Sequence, residues 1–514
     1  MRSVFDRSNN RFLFELFFIF LIGIFVSRGV IQAAELGGKW ENMLLLVLIG
    51  AIGLLVIPDR EKFLLYFSAI LLPINLTIHP FGYNPAPFYR LLEGFQIRAI
   101  DFPLALILLF WLIRLILKKE KIRLHLWMTI PYLTIVVFCI TSWIGRPVEP
   151  VIKAGALLLV LKNLILFLYL ANNLKERRTI LMLVGIFLLN GSLQALIAMA
   201  QYLNGGAIGL QILGEVDVFS TEAGVASITR VGGTIGHANK LALFLAFIIE
   251  INIALLFVPA SRIIKVLRIF PLLLMCSAIM LTYSRSAWAS LILGGTISVY
   301  WCRVKQTGQR ILSAFLVIAL ISGIALSAIA LIPSVRNRIF EDDRGSGLEI
   351  RHHLKVICNN IIVNNYWLGV GLNNYCSVIH KYDISELGAS WHFPMPVHNE
   401  YMLVAAELGV PAAIIFIILL LFIIIQHISV GLNNTEPSYS YLAIGFLCGW
   451  IGWLLHHRTL FEYSLFSHNI WFYLGIVQAM KNNLETTNQP PLIEQIHREN
   501  NFSLPEHKLL SAEN

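Results

Sequence analysis

Charged residues are scarce in this chain. Only 13% of its 514 residues are Asp, Glu, Lys or Arg, about half the share of an average soluble protein. Hydrophobic residues make up 57%, and the mean hydropathy is +0.72. The apolar runs are continuous, which excludes the alternating pattern of a β-barrel. We therefore predict an all-α fold, a polytopic transmembrane helical bundle of about 12–14 spans in a lipid bilayer.

Metal-ligand spacing and internal repeats are also missing. The six cysteines form no zinc-type motif, although Cys358 and Cys376 share one loop and could pair in an oxidising compartment. The acidic run 341–343 is adjacent on one loop, and such acids rarely converge on one ion, so we predict no metal site. The absence of a repeat weighs against inverted-repeat transporters. The net charge of +9 is spread over short loops, so no nucleic-acid partner is expected.

Basic clusters alternate along the chain. Arginines precede the first predicted span at 12–32, which is too long for a removable signal peptide. Further Lys and Arg clusters follow the second, fourth, sixth, eighth and tenth spans, and the positive-inside rule places these loops in the cytoplasm. The loops that hold Arg230, Arg285 and His398 then share the external side.

The large external loop, 333–408, has a helical pattern. Ile350, Leu354, Ile357 and Ile361 recur at helical spacing, which predicts a short surface helix with its polar face outward.

His398 and Arg285 are the first candidate functional residues. A histidine titrates near neutrality and can exchange a proton, but a loop histidine beside a helix can also be a mere cap. Arg285 lies between two apolar runs and is flanked by Ser284 and Ser286. A charge at such depth is costly and tends to be functional, although a snorkelling arginine at a tight hairpin is the alternative.

Arg230 begins a glycine-rich segment that leads into the eighth span. Glycines, an arginine and a helix N-terminus together suit phosphate, although the pattern alone is common. Together with Arg285 and His398 on the same side, it makes a pyrophosphate-binding site more plausible.

Other polar residues have simpler interpretations. Lys162 lies within the sixth span and could form an ion pair with a carboxylate such as Glu250 or contact a lipid phosphate. His237 is interpreted as an ordinary interfacial residue. The His456–Arg458 group is interpreted in the same way, although it could line the same external cavity.

Three segments resemble the O-antigen ligase and polymerase family. They are His398-Asn399 followed after nine residues by Gly409, the Tyr283–Ala287 hairpin, and Arg230–Ala242. The resemblance covers roughly 200–430 closely. Ala412 departs from the ligase pattern, which expects Gly, Thr or Tyr at that position, and ligase versus polymerase stays open.

The resemblance implies a reaction and a location. Such enzymes transfer a glycan from an undecaprenyl-pyrophosphate carrier to an acceptor hydroxyl of a glycan, of lipid A-core or of a protein, without metal, nucleotide or other cofactor. Arg230 and Arg285 would bind the pyrophosphate, and Arg351 and Asn399 would add contacts to the substrate. His398 would be the general base. The site would face the periplasm from a bacterial inner membrane.

The resemblance also divides the chain. The expected segments are N-terminal transmembrane helices (1–199), a catalytic core (200–430), C-terminal transmembrane helices (431–481) and a disordered cytoplasmic tail (482–514). The competing function is a polysaccharide or lipid-linked oligosaccharide flippase. Such a transporter would place charges along a central path, whereas here the marked residues concentrate on one side.

Overall fold

The computed structural model describes residues 38–80, 92, 94–118, 120–146, 148–216, 230–312, 347–385, 388–433, 436–460 and 463–487. Helices dominate these ranges. The described strands are one short antiparallel pair, Thr77–Ile78 with Ile97–Arg98, in which Thr77 faces Arg98. The predicted all-α bundle is confirmed.

The helices follow the predicted spans closely. In chain order, the described α-helices are α1 (Lys39–Val56), α2 (Arg60–Leu71), α3 (Asp101–Lys118), α4 (Leu126–Thr141), α5 (Pro150–Asn173), α6 (Arg177–Asn204), α7 (Ala238–Leu256), α8 (Arg262–Leu281), α9 (Arg285–Thr307), α10 (Gly347–Asn364), α11 (Tyr375–Val378), α12 (Ala389–His392), α13 (Glu400–Leu408), α14 (Val410–Asn433), α15 (Pro437–His456) and α16 (His468–Thr487).

Seven described helices are long and apolar enough to cross a membrane: α1, α5, α6, α7, α8, α14 and α15. Helices α2, α3, α4, α9 and α16 also coincide with predicted spans, but they are shorter, less apolar or richer in charged residues. The first predicted span, most of the eleventh at 311–332, the acidic run 341–343 and most of the tail lie outside the described residues.

Helices α7 and α15 form the centre of the bundle. Of their most apolar stretches, 78% and 83% of the residues are buried, compared with 17% for α8. They pack on each other and on α9. Helices α7 and α9, whose N-terminal ends carry Asn239 and Arg285, are therefore anchored in the core, whereas α8 is peripheral.

Polar contacts join the predicted cytoplasmic loops at one end of the bundle. The ammonium nitrogen of Lys62 lies 2.8 Å from a carboxylate oxygen of Glu176, which joins the loops after the second and sixth predicted spans. Arg123 lies 2.9 Å from Glu485, at the end of α16. These contacts agree with the predicted alternation of spans.

The large loop packs at the opposite end. Arg146, between α4 and α5, donates a hydrogen bond of 3.0 Å to the Gly369 carbonyl. The indole of Trp143 donates one of 3.0 Å to the Leu372 carbonyl. The large loop is therefore fixed to the ends of the spanning helices opposite the Lys62 and Arg123 contacts.

Two sequence-based interpretations are corrected by the fold. Lys162 pairs with Asp101 at 2.5 Å rather than with Glu250, because α5 faces the start of α3 while Glu250 on α7 faces α9 and α15. His468 also contacts Asp101, at 3.0 Å. The cysteines of the large loop, Cys358 and Cys376, are separate buried thiols and form no disulfide.

Candidate active site

His398 immediately precedes helix α13. The N-cap of this helix is Asn399, whose side-chain oxygen accepts a hydrogen bond of 3.2 Å from the Met402 amide. Asn, Asp and Ser are preferred at this position because they satisfy an amide that the helix leaves unpaired. Capping therefore falls to Asn399 and not to His398, and the substrate contact predicted for Asn399 competes with this structural role.

Gly409, the last residue of the family signature, lies where two backbones cross. Its φ of 91° and ψ of 160° belong to a region that is essentially restricted to glycine. A Cβ atom there would lie 2.5 Å from the Trp367 carbonyl carbon. The next amide, of Val410, donates a hydrogen bond of 2.8 Å to the Tyr366 carbonyl. The glycine thus lets the large loop dock at the junction of α13 and α14.

A buried carboxylate organises the neighbouring turn. Glu407 accepts hydrogen bonds from the amides of Asn373 at 2.6 Å and Tyr375 at 2.8 Å, and from the Tyr463 hydroxyl. Burial raises the pKa of Glu407 to about 7, while these donors act in the opposite direction. The signature helix, the glycine-rich turn and the α15–α16 connection therefore meet at one side chain.

The imidazole of His398 is half-buried. Burial, followed by the positive charge of Arg351 and by His237, lowers the pKa of His398 to about 4, while a hydrogen bond with the Pro396 backbone opposes the shift. The ring is therefore neutral at neutral pH. A neutral imidazole can accept a proton, which is the protonation state that a general base requires.

Arg351 reaches this site on the predicted helix of the large loop. That helix is confirmed as α10, and Leu354, Ile357 and Ile361 of its apolar stripe are fully buried. The helix packs on α13, and Lys355 faces solvent. The buried stripe therefore sets the position of Arg351, whose charge acts on the His398 ring.

Arg230 is held between two elements. Its Nε donates to the Thr282 carbonyl at 2.9 Å, and its Nη2 donates to Oδ1 of Asn239 at 2.7 Å. Thr282 belongs to the α8–α9 hairpin, three residues before Arg285, and Asn239 lies in the first turn of α7. The structure thus brings the segment of Arg230 against the hairpin that carries Arg285.

The α8–α9 hairpin is tight. Tyr283 has a φ of 51°, in the left-handed region, and Ser284 is the N-cap of α9. The Trp288 indole donates a hydrogen bond of 3.1 Å back to the Ile279 carbonyl. This turn fixes Arg285 as the first residue of α9, with a side chain that is partly accessible.

His237 is a site residue that the sequence interpretation missed. Its Nδ1 accepts a hydrogen bond of 3.1 Å from the Asn239 amide and thereby caps α7. Its ring also acts electrostatically on His398. The sequence feature that could have identified it is the Gly236-His-Ala-Asn239 segment at the predicted start of the eighth span. A capping side chain is expected at the start of a helix.

A second group that the sequence interpretation missed surrounds Glu400, two residues after His398. Glu400 is buried, and its Oε2 accepts from the Ser464 hydroxyl at 2.8 Å and lies 2.6 Å from Nδ1 of His457. The His457 ring stacks on Trp453 with 4.7 Å between ring centroids. His457 is thus part of a buried polar network that ties α13 to the α15–α16 connection.

The acidic and basic residues of this region do not form a metal-binding cluster. Within the described ranges, no group of three or more His, Cys, Asp or Glu side chains is placed to hold an ion. The side chains that act electrostatically on His398 are instead Arg351 and His237, and both oppose protonation of the ring. Such an arrangement suits an anionic ligand.

Comparison with known proteins agrees with the sequence resemblance. Residues 270–417 match the family model described as O-antigen ligase, a segment that contains Arg285, Arg351 and His398 but not Arg230. Among curated proteins, no relative matches.

One solved structure is similar over 70% of this chain and 98% of its own, with 15% sequence identity and a TM-score of 0.39. It comes from work on structural coordination of polymerization and crosslinking by a peptidoglycan synthase complex. At that TM-score the likeness carries no functional argument. The family match is confined to residues 270–417, and over that segment this multi-pass membrane protein is similar to the O-antigen ligase family.

Proposed function

We propose that this protein is a membrane glycosyltransferase of O-antigen or exopolysaccharide assembly. It transfers a glycan from an undecaprenyl-pyrophosphate carrier to an acceptor hydroxyl at the periplasmic face of the bacterial inner membrane. The family match supports a ligase or polymerase that transfers glycans. The carrier, the acceptor and the face are part of the proposal.

One observation carries the proposal. A half-buried neutral histidine lies within the electrostatic influence of Arg351 and His237, and His237 caps α7. Arg230 donates hydrogen bonds to Asn239, in the first turn of α7, and to the Thr282 carbonyl of the hairpin that carries Arg285. These contacts support the proposal that His398 acts as a base together with several cationic groups at one end of the bundle. This combination suits a reaction in which a hydroxyl loses its proton and an anionic group departs.

The proposed reaction is a displacement at the anomeric carbon. The acceptor oxygen forms a bond to that carbon, while the bond to the pyrophosphate oxygen breaks and leaves its electron pair on the phosphate. His398 accepts the hydroxyl proton. Arg230, Arg285 and Arg351 stabilise the negative charge of the pyrophosphate, a task that planar guanidinium groups perform with two donors each. The proposal requires no metal, because the fixed cations neutralise the leaving group.

Transfer by the purified protein in lipid tests the proposal. The donor is an undecaprenyl-pyrophosphate oligosaccharide, and separate arms supply a second lipid-linked unit, lipid A-core or a protein as acceptor, each with and without chelator. We expect transfer to one acceptor, unchanged by chelation, with a loss of about 10²-fold or more for His398→Ala. The acceptor that is used distinguishes a polymerase from a ligase.

Matched variants separate chemistry from folding. His352→Ala changes an exposed histidine of α10, and Arg178→Gln changes an exposed arginine at the opposite end of the bundle. Both are expected to retain transfer. Full activity of His398→Ala would refute the base assignment. Movement of the donor across the bilayer without any glycosidic product would instead identify a flippase.

A further inference from the structure

Glu250 is the most anomalous side chain in the membrane-spanning core. It lies twelve residues after the start of α7, about 18 Å along the helix axis, and is 1% exposed. Among the described residues, neither of its carboxyl oxygens has a hydrogen-bond partner. Buried polar groups are nearly always hydrogen-bonded, and ionisable groups inside a membrane tend to be functional.

The carboxyl group occupies a slot that a glycine leaves open. A Cβ atom on Gly294 of α9 would lie 2.7 Å from Oε1 of Glu250 and 3.0 Å from the Cys448 carbonyl oxygen of α15. The adjoining crevice has no room for a water molecule and is bordered largely by apolar side chains such as Leu243 and Phe247. The acid is therefore enclosed between three helices in apolar surroundings.

No cation faces this acid from the helices that surround it in the described part of the chain. The titratable groups that act on it, or on which it acts, are the thiols of Cys276 on α8, Cys302 on α9 and Cys448 on α15. Lys162, which the sequence suggested as an ion-pair partner of Glu250, is paired with Asp101 instead. An ionised Glu250 would be a buried charge without a counter-charge, which proteins avoid by binding a proton.

We propose that Glu250 is a proton-binding site of the membrane-spanning core, held as the neutral carboxylic acid across neutral pH. The neutral acid fits between α7, α9 and α15 without a counter-ion, so the three helices pack in contact. Release of the proton would draw water between α7 and α9. Because these two helices carry His237 and Arg285 at their outer ends, proton occupancy of Glu250 couples the packing of the core to the geometry of the outer site.

Infrared spectroscopy of the protein in lipid tests the protonation state directly. At about pH 8 an exposed glutamate is ionised and gives only carboxylate bands. We expect the wild-type protein to retain a carboxylic-acid C=O band at that pH, and Glu250→Gln to lose it. Glu407→Gln is the matched control, since it removes another buried carboxyl and should leave the Glu250 band in place. Loss of carboxylate bands instead of the acid band in Glu250→Gln would overturn the proposal.

A chemical probe covers the case in which Glu250→Gln does not fold. A hydrophobic carbodiimide adds to a neutral carboxylic acid: the acid protonates a carbodiimide nitrogen, its oxygen bonds to the central carbon, and acyl transfer to nitrogen yields an N-acylurea that keeps all atoms of both reactants. At about pH 8 we expect peptide mapping of the wild-type protein to find this adduct on Glu250, because exposed carboxylates are ionised there. Absence of the adduct from Glu250, with other carboxyls labelled, would overturn the proposal.

Discussion

The signature glycine offers a sharp test of the structure. Gly409→Ala adds one methyl group at the point where the large loop crosses the α13–α14 junction. The new Cβ would lie 2.5 Å from the Trp367 carbonyl carbon and 2.9 Å from the Leu368 nitrogen. Both atoms belong to the backbone, so no side chain can rotate away to make room.

The magnitude follows from two contributions. A non-glycine residue at a φ of 91° and a ψ of 160° is strained by about 1–3 kcal/mol. Forcing an extra carbon into a packed contact adds about 1–3 kcal/mol. We therefore expect Gly409→Ala to destabilise the fold by roughly 2–6 kcal/mol. The Val410 to Tyr366 hydrogen bond at the crossing should be lost as well.

Unfolding in detergent or lipid, followed together with glycan transfer, measures the effect. Gly185→Ala is the matched control, because Gly185 lies within α6 and a Cβ there meets no atom within 4 Å. This control should be neutral or stabilising by up to about 1 kcal/mol. A Gly409→Ala protein that unfolds at the same temperature as the wild type would show that the backbones do not cross as described. Loss of transfer with unchanged stability would assign the glycine to the substrate instead.

Three further predictions concern charges. Burial, and after it the charge of Arg351, lowers the pKa of His398 to about 4; Arg351→Gln removes the second of these causes, so the acidic limb of the pH–rate profile should move to higher pH. The acidic limb moves to higher pH because a base accepts a proton only when it is unprotonated. An acidic limb that stays at the same pH would show that Arg351 does not lower the pKa of His398. Lys162→Met leaves the Asp101 carboxylate without its ammonium partner and should destabilise by about 3–5 kcal/mol, measured by unfolding. Adding Asp101→Asn should restore part of that loss, whereas equal losses in the single and double variants would contradict the pairing. Glu400→Gln removes one acceptor oxygen from the buried network and should lower stability by about 1–3 kcal/mol, while an unchanged unfolding midpoint would show that the network adds nothing.

The helix of the large loop was predictable because periodicity is a local property. Leu354, Ile357 and Ile361 fall on one face at 3.6 residues per turn, and burial of that face follows from the hydrophobic effect alone. The same holds for the apolar spans, whose backbone groups must be satisfied within each helix. The sequence could therefore place Arg351 on a surface helix of the large loop.

The partners of buried charges were not predictable in this way. Lys162 and Asp101 are separated by 61 residues, and the choice between Asp101 and Glu250 depends on how three helices are rotated. Apolar periodicity cannot fix that rotation for helices with apolar residues on nearly all sides, such as α5 and α7. The interpretation of Lys162 failed for this reason, and the isolation of Glu250 became visible only in the folded chain.

The family signature combines residues with different physical tasks. Asn399 caps α13, and Gly409 allows the large loop to cross at the other end of the same nine-residue helix. Neither task requires a substrate. His398 differs, because its ring is half-buried among groups that keep it neutral and it has no part in the cap. The nine residues between Asn399 and Gly409 therefore correspond to one short helix that is fixed at both ends. That helix holds one imidazole at a fixed position, so moving it by one residue should abolish the site even with all three residue types retained.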